Sequence, residues 1–470
     1  MRSRHDVTAV PFPALDPRRL ARYVGAARIE QLEGTAARVR ALLGGRRVLN
    51  VSSTAHGGGV AEMLHTLLGY VRHTGIDSEW LVISGDTDFF TITKRLHNGL
   101  YGGPGDGLEL DRDARETYDR VIDANRPSLL AAVRPGDVVI VHDPQPAGLV
   151  PALTAHGARV VWRCHVGVDR ANEWSERAWG FLRPYLEEAH AFVFSRAAFA
   201  PGWVDALRLH VIPPSIDPFT PKNCELVPED VLGLLGASGL VSADGSRSPR
   251  RAVRPAQVVR EGAAPDPRVP LVVQVSRWDR LKDMPGVLIG FVDGVPRGIG
   301  ARLVLAGPAV DGVDDDPEAR GVWEETVALW RGLPRSDRER VQLATIPMED
   351  LAENALVVNA LQRHATVVVQ KSLAEGFGLT VAEAMWKSRP VVASAVGGIV
   401  DQIVDGETGL LHEPSDLPGF AARVTRLLEE PDEAARLGEG ARRRVRRAFL
   451  GDRHLLQYAA LLERVLGGER

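Results

Sequence analysis

Short apolar runs alternate with stretches of helical periodicity from one end of the chain to the other. In the first half the runs are Val48–Ser52, Leu81–Ser84, Val138–His142, Val160–Arg163, Ala191–Ser195 and His210–Ile212. Between several of them, Val60–His73, Arg115–Ala131 and Glu176–Ala189 carry apolar residues at helical spacing. After a long irregular stretch the pattern resumes with Leu271–Val275, Leu303–Ala306, Val341–Ile346, Thr366–Gln370 and Val391–Ser394, again with helices between. Continuous Val/Ile/Leu runs separated by helices imply parallel strands buried on both faces. Two successive sets imply an α/β protein of two doubly wound domains.

The boundary between the sets is legible. Ile212-Pro213-Pro214-Ser215-Ile216-Asp217-Pro218 cannot be helical, and it leads into a stretch rich in Gly, Pro, Ser and Arg that runs to Pro270. The expected division is a first domain over 1–218, a flexible linker or insert over 219–268, a second domain over 269–445, and a closing helix over 446–470 that packs back on the first domain. Within the insert, Pro228–Leu235 reads as a short helix and Ser242–Pro267 as a mobile loop. Pro431 and Gly451 break the helical, arginine-rich C-terminal part. No repeat of solenoid period is present.

Composition narrows the function classes. A chain of 470 residues is comfortable for two domains. A formal net charge of -4 argues against a nucleic-acid binder, which would show a basic face. The two cysteines, Cys164 and Cys224, make a disulfide framework improbable and fit a reducing cytoplasm. Met1–Asp6 is charged and unlike a signal peptide, and no run reaches the ~20 apolar residues of a membrane span. The expectation is a cytoplasmic protein with neither nucleic-acid nor membrane partners. Of 57 basic residues only five are lysine: Lys94, Lys222, Lys282, Lys371 and Lys387. Three of these lie in or near the segments singled out next, which hints at places where a point charge is wanted rather than a planar fork.

Five constellations fall at expected strand ends or in the loops after them, where open α/β sheets bind ligands. Glu375-Gly-Phe-Gly-Leu-Thr-Val-Ala-Glu383 sets two carboxylates eight positions apart around a glycine turn that opens a helix. Backbone amides there can approach a negative or hydroxyl-rich ligand, and the carboxylates can grip its two ends. Ser52–Glu62 is a second strand–turn–helix, with Gly57, Gly58 and Gly59 at the turn. It is neither the dinucleotide fingerprint nor a Walker loop. Arg277 and Lys282, five apart after a strand, could converge on a diphosphate. His142-Asp143-Pro144-Gln145 and Trp162-Arg163-Cys164-His165 end neighbouring strands, and Lys94-Arg95-Leu96-His97-Asn98 offers cation, imidazole and amide on one segment. Plainer readings stand beside each: tight turns for the glycines, a solvated loop for the cations, a core histidine for His165 and a surface helix for Lys94–Asn98. Asp314-Asp315-Asp316-Pro317-Glu318 reads better as a helix N-terminus than as a metal cluster, and no metal site is expected.

Taken jointly, these pieces resemble the retaining nucleotide-sugar glycosyltransferases of the GT-B fold, the glycogen-synthase and sucrose-synthase type, with two Rossmann-like domains facing each other across a cleft. That pattern has a glycine-rich loop in the first domain, an Arg and Lys pair opening the second, and Glu-x7-Glu. A closer likeness is to the trehalose glycosyltransferring synthases, carried by Asn50–Glu62, His142–Pro146, Trp162–His165 and Gln370–Lys387. The Ser242–Pro267 insert looks longer than the family pattern and leaves these motifs undisturbed. The resemblance implies transfer of glucose from a nucleoside-diphosphate glucose to free glucose, giving α,α-trehalose, reversibly. It implies donor contacts by Gly57, Gly58, Gly59, Arg277, Lys282, Glu375, Gly376, Phe377, Gly378, Leu379 and Glu383. Arg277, Lys282, Glu375 and His165 would be catalytic, and Lys94, His97, Asn98, Asp143, Gln145, Arg163 and His165 would serve the acceptor. No tightly bound cofactor is implied; Mg²⁺ paired with the nucleotide and a homodimer both fit. The competing readings are a trehalose phosphorylase, a glycosyltransferase with another sugar or a lipid acceptor, and a non-catalytic sugar-nucleotide binder.

Overall fold

The structure, a computed structural model, describes residues 6–55, 58–243, 253–310 and 317–467. Gly57, the Asp314–Asp316 cluster and part of the 242–267 insert lie outside the described residues. Contacts divide the chain into two compact units, Met1–Ser215 with Phe449–Arg470, and Ile216–Ala448.

The first unit is built on a seven-stranded sheet: β1 (Thr8–Ala9), β2 (Val48–Ser52), β3 (Ser78–Val82), β4 (Val138–His142), β5 (Arg159–Cys164), β6 (Ala191–Phe194) and β7 (Leu209–Val211), in the order β1-β3-β2-β4-β5-β6-β7. All neighbours are parallel except β1, which pairs antiparallel with β3. From β2 the chain moves first to β3 on one side and later to β4 on the other, so the winding reverses between β2 and β4. Ligands bind at such a reversal, beyond the C-terminal ends of the strands.

The second unit repeats the plan with β8 (Gln257–Val259), β9 (Leu271–Val275), β10 (Arg302–Pro308), β11 (Val341–Ile346), β12 (Val367–Gln370), β13 (Val391–Ser394) and β14 (Leu410–His412), ordered β14-β13-β12-β9-β10-β11-β8. Its winding reverses between β9 and β12. Arg277 and Lys282 follow β9, and Glu375 follows β12, so the two expected donor motifs leave adjacent strands.

Alternation along the strands decides what covers each face. In β4 and β5, Val139, Val141, Val160 and Trp162 join a core with Phe89, Tyr118, Trp179, Phe192 and Phe194. Val138, Ile140 and Val161 point the other way, into a cluster with Val39 and Leu43 and with Leu461, Leu462 and Leu466 of the Gly451–Gly467 helix. That helix therefore completes the core of the first unit. Arg453, just inside it, donates to the Pro213 and Pro214 carbonyls at 2.7 Å each. His454 stacks on Tyr458, and its Nδ1 meets the Ser215 hydroxyl at 3.0 Å. Burial, then the Arg453 and Arg163 charges, hold the His454 imidazole well below its ordinary range.

Two departures from the sequence reading have clear causes. Residues 219–268, expected as a flexible connection apart from a short helix at Pro228–Leu235, hold that helix at Pro228–Ala237 and also the edge strand β8, which pairs antiparallel with β11 and falls inside the stretch read as a mobile loop. β8 and β14 span only three residues each, too short to give a periodic signal. β3 begins at Ser78 rather than Leu81, because Glu79 interrupts an otherwise apolar run.

Leu461 is almost fully buried, so Leu461→Ala is expected to lower the unfolding free energy by ~2–5 kcal/mol in urea titrations; a negligible loss would contradict the helix's place in the core. The His454 shift gives a signed pH effect. The folded state keeps His454 neutral while the unfolded chain binds a proton below about pH 6.5, so stability present above that pH declines as pH falls through it. His454→Gln should make the decline between pH 7 and pH 5 shallower, read from urea midpoints; an unchanged slope would refute the assignment.

Candidate active site

In the second unit the loop after β9 is held rigid before it presents its cations. The Ser276 amide donates to the Ala306 carbonyl at 3.0 Å. Trp278 is fully buried, its indole N–H on the Pro308 carbonyl at 3.1 Å and its ring edge-on to Trp323. Asp279, also buried, accepts from the Leu281 amide at 2.8 Å and pairs with Arg277 at 2.9 Å. Its carbonyl accepts from the Lys282 amide at 2.9 Å, so one aspartate ties the two expected cations together. Arg277 is about half exposed.

Lys282 reaches the loop after β12. Its ammonium lies 2.6 Å from Glu375 Oε2, with only 14% and 10% of the two side chains exposed. Ser372 Oγ donates to the same carboxylate oxygen at 3.3 Å. Beneath the pair is a connected polar floor: Gln370 donates to Ser276 Oγ and Ser372 Oγ at 3.0 Å and accepts from Thr380 at 2.9 Å. Gln274 links the two loops again, donating to the Lys282 carbonyl at 2.7 Å and accepting from the Lys371 amide at 2.9 Å. A second lysine is buried here, with the Lys371 ammonium on the Asp283 carboxylate.

The turn after Glu375 explains its glycines. Gly378 has φ +85° and caps the Leu379–Trp386 helix, a backbone conformation costly for other residues. Phe377 is buried, and Gln402 donates to the Phe377 and Gly378 carbonyls. A Cβ at Gly397 would lie 1.6 Å from the Glu375 carbonyl oxygen, so only glycine lets that segment back the turn. The first amides of the helix that opens at Leu379 lack intrahelical acceptors and form a positive end beside Glu375.

Glu383, on the same helix, is buried with Lys222 4.0 Å from Oε1. Lys387, one turn on, donates to the Glu383 carbonyl at 3.1 Å, to Gln362 at 2.8 Å and to Asn223 Oδ1 at 3.3 Å. Burial pulls its ammonium down to about 7 despite the nearby Glu383 carboxylate. Trp386 donates to the Asn223 carbonyl at 3.2 Å, which fastens the 221–224 segment to the helix that carries Glu383. Sequence reasoning left out this support. Nothing in the chain order connects Asn223 to residues 140 or more positions away.

In the first unit, Gly58 precedes and Gly59 opens the Gly59–His73 helix after β2. At the ends of β4 and β5 four expected residues come together. The His142 ring lies 5.5 Å from the His165 ring and nearly parallel to it, with His142 Nε2 on Asn50 Oδ1 at 2.9 Å. Asp143 accepts from the His165 amide at 2.7 Å and from its Nδ1 at 2.9 Å. Arg163, expected beside a sugar, is instead wholly buried and donates to the Ile212 carbonyl at 2.7 Å. In this arrangement it supports the strand ends from below. Gln145 is half-buried in the following turn. Lys94, His97 and Asn98 share one face of a separate helix, Thr87–Leu100, where His97 packs edge-on to Tyr101.

The chemistry available is thus recognition of an anionic, hydroxyl-rich ligand by Arg277, Lys282, Glu375 and a helix N-terminus. Residues 50–201 match the trehalose synthase N-terminal domain, and residues 354–444 match the glycosyl transferases group 1 family. The chain is 35% identical to trehalose synthase of Pyrococcus horikoshii, covering 91% of each chain. It is 36% identical to that of Rubrobacter xylanophilus, covering 93% of this chain and 94% of the relative. In fold it is similar to an α,α-trehalose-phosphate synthase (UDP-forming) from Burkholderia vietnamiensis, with TM-score 0.64, 16% identity, and 89% and 98% of the two chains covered. The two sheets are the GT-B architecture, the protein is a glycosyltransferase of trehalose metabolism, and the chain belongs to the trehalose synthase family.

Proposed function

We propose that the protein is a retaining glucosyltransferase that joins the glucosyl group of a nucleoside-diphosphate glucose to free glucose, forming α,α-trehalose in a reversible reaction. The observation that carries this reading is the Lys282–Glu375 pair at 2.6 Å, beside the Gly378 helix start and the Asp279-held Arg277. Arg277 and Lys282 neutralise the diphosphate, and Glu375 with the Phe377 and Gly378 amides holds the transferred glucose. Gly376 and Leu379 shape that turn, and Glu383 accepts from the ribose hydroxyls. Gly57, Gly58 and Gly59 assist at the diphosphate; His165 serves the sugar, and Gln145, Lys94, His97 and Asn98 the acceptor.

The bond between the anomeric carbon and the phosphate oxygen breaks as charge builds on the nucleoside diphosphate. Preorganised cations and amides lower the barrier where that charge develops. Glu375 is already committed to Lys282 and Ser372, so it is poorly placed to act as a covalent nucleophile. The acceptor hydroxyl therefore attacks from the face the leaving group departs, forming the new C–O bond with retention. Its proton passes to a phosphate oxygen of the leaving group. In this reading Mg²⁺ acts only as a companion of the nucleotide, and the enzyme works in the cytoplasm.

Incubation with glucose and each of ADP-, UDP- and GDP-glucose should yield α,α-trehalose with at least one donor, identified by NMR of the anomeric linkage. Product formed only from glucose 1-phosphate, with phosphate released, would show a phosphorylase instead. Lys282→Ala should cut turnover about 10²–10³-fold, the usual loss for one transition-state donor, while circular dichroism stays native. Calorimetry of Glu383→Ala should show weaker nucleoside-diphosphate binding, and unchanged affinity would remove the ribose assignment.

A further inference from the structure

Asp143 was expected to touch the acceptor directly, yet every polar group it carries is already engaged within the first unit. Its amide donates to the Arg163 carbonyl at 2.7 Å, and its own carbonyl accepts from Trp162 Nε1 at 3.1 Å. One carboxylate oxygen accepts from the His165 amide at 2.7 Å and the other faces His165 Nδ1 at 2.9 Å. The backbone adopts φ +64° to do this, a left-handed conformation that non-glycine residues seldom take and that Asp and Asn tolerate best. Such local cost persists where the surroundings enforce it and is concentrated at functional positions.

We propose that Asp143 is a positioning residue for His165, clamping the imidazole as the Nδ1–H tautomer so that its Nε2 lone pair faces a sugar hydroxyl. The sugar part of this inference rests on the glucosyltransferase reading; the clamp itself does not. Three observations support it. His165 Nε2 is buried and has no hydrogen-bond partner among the described residues, so the ring has one nitrogen fixed and one to offer. Stacking on His142, itself held by Asn50, fixes the ring plane. Burial pushes the Asp143 carboxyl up, but His165 pulls it down to about 2, so it remains an acceptor-only carboxylate that requires a proton on Nδ1. Burial likewise keeps His165 below its ordinary range, leaving Nε2 unprotonated at neutral pH.

Asp143→Asn separates this role from direct acceptor contact. The His165 amide is an obligatory donor, so it takes the Asn carbonyl oxygen and turns the Asn NH₂ toward Nδ1. The imidazole must then accept at Nδ1 and carry its proton on Nε2, which reverses what it offers a hydroxyl. Asn also suits the left-handed backbone, so the variant is expected to fold. In ¹⁵N-histidine NMR of the ligand-free protein, His165 should be protonated at Nδ1 in the native chain and at Nε2 in Asp143→Asn. Turnover should fall about 100-fold, with little change in the acceptor KM, and Asp143→Asn should cost almost nothing further in a His165→Ala background. An unchanged His165 tautomer would overturn the proposal. So would a raised acceptor KM that persists without His165, which would make Asp143 a direct contact. The NMR arm needs no substrate: if no donor yields trehalose while the tautomer still switches, the substrate reading fails and the clamp stands.

Discussion

One ion pair organises the second unit. Lys282 and Glu375 come from loops after adjacent parallel strands, and their side chains meet at 2.6 Å with little exposure. Removing one partner from such a pair leaves an uncompensated buried charge, at a typical cost of ~3–5 kcal/mol. The surrounding groups read as devices for keeping that cost paid: Ser372 on the carboxylate, Gln274 on the Lys282 carbonyl, and Asp279 on the Lys282 amide. The glycine-dependent approach of the 397 segment and the Gln402 bonds fix the turn from behind. A cation and a carboxylate held this close can each exchange its partner for part of a ligand that is anionic at one end and hydroxyl-rich at the other.

The first unit solves a different problem with similar economy. Its strand ends gather His142, Asp143, Arg163 and His165, all buried or nearly so; Asn50, the Ile212 carbonyl and the Asp143 carboxylate pair part of this set, while His142 Nδ1 and His165 Nε2 have no partner among the described residues. The C-terminal helix contributes here as well, through His454 on Ser215 and Arg453 on two proline carbonyls. Helix packing and imidazole placement are therefore parts of one arrangement. Such networks specify a unique geometry when their members are paired, because an unpaired buried polar group is expensive.

Much of this was legible in the chain. Both sets of parallel strands showed as apolar runs, and glycine turns opening helices marked the ends that matter. Glu375 and Lys282 were singled out separately, on spacing and on the rarity of lysine. Their direct contact was not legible, since 93 positions separate them and only the strand order β12-β9 brings them together. Arg163 and Asp143 stand at strand ends, and the family resemblance implied that they serve the acceptor. The structure spends them inward, on Ile212 and His165. Local sequence reveals that a polar group stands at a strand end; it does not reveal whether the neighbouring backbone has already claimed it. Strands as short as β8 and β14 were lost for a simpler reason, having too few residues to show a period.

The central claim is that Arg277, Lys282 and Glu375 form the donor subsite. A crystal structure of the protein with an intact nucleoside-diphosphate glucose tests it most directly. The account predicts diphosphate oxygens within hydrogen-bond distance of Arg277 and Lys282, and a glucosyl hydroxyl on Glu375 beside the Phe377 and Gly378 amides. Density for the diphosphate elsewhere, with Lys282 and Glu375 still bonded only to each other, would contradict it.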